Sequence, residues 1–274
     1  MQPSRPNLAG LSAAERDLLD KLMAEERVTV GAEDGMELRG VARPAASRIL
    51  SRLEAKDWVR RVKRGLYMPI PLGAGSREPA VEDAWLLAMR LFAPCHISGW
   101  SAAEHWDFTE QIFNAVAVVT SAPQRRGEQA YAGVRFRVRT IPEGKLFGSR
   151  KVWVGPHAVS IADPSRTLID ILDAPEMGGG GRHMVDVVRA YWRSDKANVE
   201  ALLDYAIRYG RGTVFKRMGY LAERFGSVPN AWLAQCQEHV TKGVSEFDPA
   251  GPKRGKIVSR WNLRVNVPID EVGE

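Results

Sequence analysis

Between Arg39 and Pro69 the chain reads RGVARPAASRILSRLEAKDWVRRVKRGLYMP, and few folds accommodate that order of residues. Pro44 suits a first helical turn, because its missing N–H would find no partner there anyway. Behind it Ala45, Ala46, Ile49, Leu50 and Leu53 share one face, and Ser47, Arg48, Ser51 and Arg52 share the other. Trp58–Val62 and Leu66–Met68 then read as two short strands around the turn Lys63-Arg64-Gly65. The stretch holds nine Lys and Arg against Glu54 and Asp57, a formal charge of +7 in a chain whose total is +6. The other residues therefore sum to −1, and the basic excess is concentrated here, as expected of a nucleic-acid footprint.

The preceding residues supply two more helices. Ser12 and Glu15 have the spacing of a capping box, with Leu18, Leu19, Leu22 and Met23 as the apolar stripe of a helix over 13–26. Val28–Val30 is a short β-branched run, Glu33–Leu38 a second helix, and Gly40 its end. Three helices and a charged hairpin within 1–70 predict a winged helix-turn-helix bound to double-stranded DNA. Ser47, Arg48, Ser51 and Arg52 are the candidates for reading bases; Arg43, Lys56, Lys63 and Arg64 are the candidates for holding phosphates. The competing reading is an ordinary amphipathic helix with a solvated basic face. The general lack of acidic partners one turn away weighs against it.

Residues 71–78 read as a proline- and glycine-bearing linker, with a second domain over 79–274. Helices are expected over 79–91, anchored by Trp85, Leu86 and Met89, and over 98–106. Phe113–Thr120 is a candidate central strand, 124–128 a polar loop, and Tyr131–Thr140 a half-buried strand of alternating residues. Arg135, Arg137 and Arg139 on that strand form either a solvated face or a basic docking surface for DNA or an acidic protein. Lys151–Val154 and Ala158–Ile161 suggest a hairpin. Asp163 and Pro164 open a helix in which Arg166 can pair with Asp170. Met177–Gly181 is a joint or a tight backbone approach. Four helices follow within a bundle segment over 182–240, then a loop over 242–256 and a strand, Ile257–Val267, tied back into a sheet. The fold class is mixed α/β: a winged helix-turn-helix, then a larger sheet-and-helix domain whose C-terminal half is helical.

Hydrophobic content of 45% supports real cores, and the two cysteines define neither a disulfide framework nor a metal quartet. The five histidines lack zinc spacing, no nucleotide-binding loop is present, and no apolar run is long enough for a membrane span. These observations point to a cytoplasmic protein without metal or cofactor, and not to an enzyme. Two alternatives stand beside DNA binding: a module that docks only acidic proteins, and a metal-dependent nuclease using Asp163 and Glu176.

Several segments taken together resemble a known family. VRRVKRGLYMPIP, CHISGWSAAEHW, FNAVAVVT, AVSIADPSRTLIDILDAP and the closing RWNLRVNV are similar to the AbiEi-type antitoxins of bacterial type IV toxin–antitoxin systems. The resemblance implies a protein encoded beside a nucleotidyltransferase-like toxin, which it counteracts. It also implies repression of its own operon through inverted repeats in the promoter. Pro44–Lys56 would be the recognition helix, Lys63–Gly65 the wing tip and Leu91–Val267 the antitoxin module, with no catalytic residues carried over.

Overall fold

Ser12 and Glu15 cap the first helix reciprocally: the Glu15 N–H donates to Ser12 Oγ at 3.3 Å, and the Ser12 N–H donates to Glu15 Oε2 at 2.7 Å. The computed structural model describes residues 10–25, 27–70, 81–125 and 127–269. The capped helix is α1 (Ala13–Ala24), followed by β1 (Val30–Gly31), α2 (Ala32–Arg39), α3 (Arg43–Ala55), β2 (Val59–Lys63) and β3 (Leu66–Pro69). The strands form an antiparallel sheet in the order β1-β3-β2, and Gly65 at φ 78° makes the β2–β3 turn. Leu18, Leu19 and Leu22 of α1 meet Ile49, Leu50 and Leu53 of α3, with Val30, Val59 and Tyr67 from the sheet closing this core. The expected linker at 71–78 lies outside the described residues.

The larger part contains α4 (Val81–Phe92), β4 (Cys95–Ile97), α5 (Gly99–His105), β5 (Val116–Thr120), β6 (Gly127–Tyr131), β7 (Val134–Thr140), β8 (Ser149–Val154) and β9 (His157–Ala162). Then come α6 (Pro164–Asp173), α7 (Gly181–Arg193), α8 (Val199–Tyr209), α9 (Gly212–Phe225) and α10 (Asn230–Glu238), and finally β10 (Ser245–Glu246), β11 (Lys256–Val258) and β12 (Leu263–Val265). Six strands form one mixed sheet in the order β6-β7-β5-β4-β9-β8. Strand β5 is buried along its whole length, which a sheet covered on both faces requires. Val116 and Val118 pack in the core with α4, whereas Ala117 and Val119 pack with Trp100, Ala174 and Met177 on the other face. Helices α6 to α10 build the remaining core. No helix among the described residues is long and apolar enough to cross a membrane.

Two expected strands divide. Ala132 and Gly133, at φ 51° and 86°, reverse the chain inside Tyr131–Thr140, so β7 pairs with β6 as a hairpin. β6 begins at the edge of the expected polar loop; its polar sequence, GEQAY, reflects its place at the rim of the sheet. Ile257–Val267 likewise breaks at Ser259–Trp261 into β11 and β12. These join β10 in a separate three-stranded sheet, not the six-stranded one. The Met177–Gly181 run is a close approach: the Gly181 N–H donates to Asp248 Oδ2 at 2.7 Å, and a Cβ there would lie 2.7 Å from that aspartate's own Cβ.

The Arg166–Asp170 pair forms, and it is buried in the core. Arg166 is 0% exposed and Asp170 1%. Arg166 Nε and Nη2 donate to Asp170 Oδ1 at 3.1 and 2.9 Å, and Ser98 Oγ donates to Oδ2 at 2.7 Å. His96 Nε2 lies 3.1 Å from the same oxygen. Burial pushes the Asp170 carboxyl up, but the Arg166 charge and the His96 hydrogen bond outweigh it and hold the group below the usual carboxylate range. Asp170→Asn should cost about 3–5 kcal/mol in urea unfolding, because a guanidinium is left buried without its counter-charge. The double change Arg166→Met with Asp170→Leu should cost less than either single change. Equal stability of Asp170→Asn and the parent would contradict this assignment.

Candidate nucleic-acid interface

Helix α3 is positioned by what it buries. Ala46, Ile49, Leu50 and Leu53 face inward, and the 3.6-residue period turns Ser47, Arg48, Ser51 and Arg52 to solvent. Arg43 is also exposed, in the first turn. Gly35 of α2 lies against the buried face, and a Cβ there would come 3.0 Å from that of Ala46. Glycine at 35 and alanine at 46 therefore set how closely α2 and α3 approach. On the solvent side Arg48 and Arg52 lie one turn apart in one row and Ser47 and Ser51 form the row beside it, a profile narrow enough for a groove about 12 Å wide.

The β2–β3 hairpin adds a second row. Val59 and Val62 are buried while Arg60, Arg61 and Lys63 are exposed, and Arg64 is exposed in the turn. The pairing register shifts between Arg61 and Lys63, so Val62 is the extra residue of a bulge. Before the bulge the register is regular, so Arg60, opposite Met68, and Arg61, opposite Tyr67, point to opposite faces of the small sheet, and both are exposed. Both lie outside the contact candidates that the sequence suggests, although their charges are plain in it. Arg48, Arg52, Arg60, Arg61, Lys63 and Arg64 form no ion pair among the described residues, and Arg43 reaches Glu33 only at 3.7 Å.

Lys56 has a different occupation. Its Nζ donates to Glu15 Oε2 at 2.8 Å and to the Gly10 carbonyl at 2.6 Å. Glu15 is buried, and its carboxyl is held at about 2; the Lys56 hydrogen bond is the largest cause and outweighs burial. Lys56 thus anchors α1 to the end of α3.

The three arginines of β7 do not form one free face. Arg135 Nε donates to the Asn114 carbonyl at 3.2 Å and lies 3.8 Å from Glu128. Arg137 is half-buried. Arg139, also half-buried, pairs with Asp173 and with Glu176 at 3.4 Å. The residues of the nuclease alternative are engaged as well. Asp163 Oδ1 accepts the Arg166 N–H at 2.8 Å and Oδ2 accepts the Tyr205 hydroxyl at 2.8 Å. Among the described residues no group of three or more His, Cys, Asp or Glu side chains is gathered to hold a metal ion.

The basic unit is fastened to the larger part. Arg90 of α4 donates to both oxygens of Asp34 at 3.0 Å and to Thr29 Oγ1 at 3.1 Å. Asp34 itself accepts the Gly31 N–H at the start of α2. Val62 of the hairpin joins the core made by α4 and the six-stranded sheet.

No family model matches the chain, and no curated protein matches it. Among solved structures it is similar to the crystal structure of RV2827C protein from Mycobacterium tuberculosis. The TM-score is 0.64 at 17% sequence identity, with 92% of this chain and 91% of that chain covered. At that identity the likeness extends to the fold alone.

The Glu15–Lys56 pair makes a pH prediction. A carboxyl whose pKa falls on folding, from 4.5 to about 2, adds stability that is complete above 4.5 and is lost as pH drops towards 2. Lys56→Met should lower stability by about 1–3 kcal/mol at neutral pH. It should also flatten the acid side of the profile between pH 4.5 and 2 when thermal unfolding is followed by circular dichroism. An unchanged acid limb would place the stabilisation elsewhere.

Proposed function

We propose that this chain is a sequence-specific DNA-binding repressor. The observation that carries the reading is the surface shared by α3 and the β2–β3 hairpin, with exposed cations free of ion pairs on the side opposite a packed apolar core. In this reading the N-terminal unit is a winged helix-turn-helix. Helix α3 enters the major groove, where Arg48 and Arg52 reach base edges and Ser47 and Ser51 allow close approach. Arg43, Arg60, Arg61, Lys63 and Arg64 lie along flanking phosphates and fix the register. Lys56 is excluded from the contact set because Glu15 holds it.

The resemblance to AbiEi-type antitoxins extends this reading. It makes the target a set of inverted repeats in the protein's own promoter, and assigns the larger part an antitoxin role towards a nucleotidyltransferase-like toxin. No cofactor enters the proposal.

Two classes of substitution separate reading from holding. Arg48→Ala or Arg52→Ala should cost about 1–3 kcal/mol on a promoter fragment and much less on random DNA. Lys63→Ala or Arg64→Ala should weaken both alike and reduce the slope of log K against log salt by about one each. Gel-shift titrations at several salt concentrations check both. Unchanged binding by all four variants would overturn the proposal.

A further inference from the structure

Strand β8 ends the six-stranded sheet and pairs only with β9. No other backbone hydrogen bond reaches residues 149–154 among the described residues. An open edge of this kind presents unpaired N–H and C=O groups, and proteins commonly guard it with charge. Here the guard has one sign. Arg150 and Lys151 are exposed, β8 contains no acidic residue, and neither cation has an ion-pair partner among the described residues. Beside them Trp153 is 71% exposed, on the same sheet face as Lys151, while Val152 and Val154 turn towards the α4 core. A third cation borders the edge. Arg208 is exposed in the last turn of α8, and both it and Arg150 act electrostatically on the Tyr205 hydroxyl.

We infer that the open edge of β8 receives an extended acidic segment of a partner protein by strand addition. Backbone hydrogen bonds supply the register. Carboxylates of the incoming strand lie beside Lys151 on one face and Arg150 on the other, and an apolar side chain lies on Trp153. A second copy of β8 is disfavoured, since it would bring Arg150 and Lys151 against the same charges. Nucleic acid matches the charge but has no strand backbone to satisfy the edge. This surface lies apart from α3 and the β2–β3 hairpin, and the inference does not rest on the DNA-binding proposal.

The test uses the full chain and a fluorescein-labelled peptide of about eight residues with the repeat Glu-Glu-Val-Val, which offers a carboxylate and an apolar side chain to each face of the strand, followed by anisotropy. Two comparison peptides carry N-methylated backbone amides on alternate residues, or Lys in place of Glu. The parent peptide should bind saturably, and both comparison peptides should bind at least about tenfold more weakly. Lys151→Glu and Trp153→Ala, both at exposed positions, should each weaken binding by a similar factor, and the double variant Arg48→Ala, Arg52→Ala should not. Trp153→Ala should leave the promoter gel shift unchanged. Equal binding of the N-methylated peptide would reduce the interaction to charge attraction and overturn the inference. So would the absence of saturable binding, or self-association in sedimentation that Trp153→Ala abolishes.

Discussion

A guanidinium and a carboxylate with almost no access to water sit at the centre of the larger part, and the elements around them are placed by what those two groups require. Each ion buried alone would cost several kcal/mol, so every remaining donor and acceptor has to be met. Asp170 takes hydrogen bonds from Arg166 and Ser98 and lies against His96, which ties α6 to the first strand of the sheet layer. Arg166 Nη1 reaches the Lys145 carbonyl at 2.7 Å, and its guanidinium lies over the rings of Phe147 and Tyr209, which fixes the loop before β8 and the end of α8. One turn further along α6, Asp173 accepts from Tyr209 at 2.7 Å and pairs with Arg139 and Arg211. The aspartates of this helix are structural fasteners between sheet and bundle.

The N-terminal unit is built on the opposite principle. Its core is small, and its cations are left outside it. A basic face is costly to leave near itself but useful near a polyanion, where released counterions drive association. The Glu15–Lys56 pair marks the boundary between the two uses of charge: one surface lysine is tied to a buried carboxylate and holds α1 on α3, and the arginines beyond it have no such partner. The Arg90–Asp34 clamp then transmits the position of α4 to the start of α2, so the basic face is carried on a fixed platform.

Local patterns made much of this visible in the sequence. The capping box at Ser12, the exposed positions 47, 48, 51 and 52, and the helices from α7 to α10 all follow from periodicity and end signals. What stayed hidden depends on distant partners. Lys56 meets a carboxylate 41 residues away, and Arg139 meets one 34 residues away, so neither could be told from a free surface cation. β6 was obscured because an edge strand can be polar and still pair. Arg60 and Arg61 were obscured because neighbouring strand residues point to opposite faces, and only the fold shows that both faces of this small sheet reach water there. The depth of Arg166 and Asp170 was hidden too: an i,i+4 ion pair reads the same on a solvated helix as in a dry core.

The central claim is that α3 reads DNA from the major groove while the hairpin rests on the backbone. Methylation interference on the chain's own promoter fragment tests it most directly, because a methyl group on guanine N7 blocks the major groove and leaves the phosphates intact. The account predicts interference at a small set of guanines that disappears when Arg48 and Arg52 are both alanine. Binding that is indifferent to guanine methylation, or an interference pattern unchanged in that double variant, would contradict it.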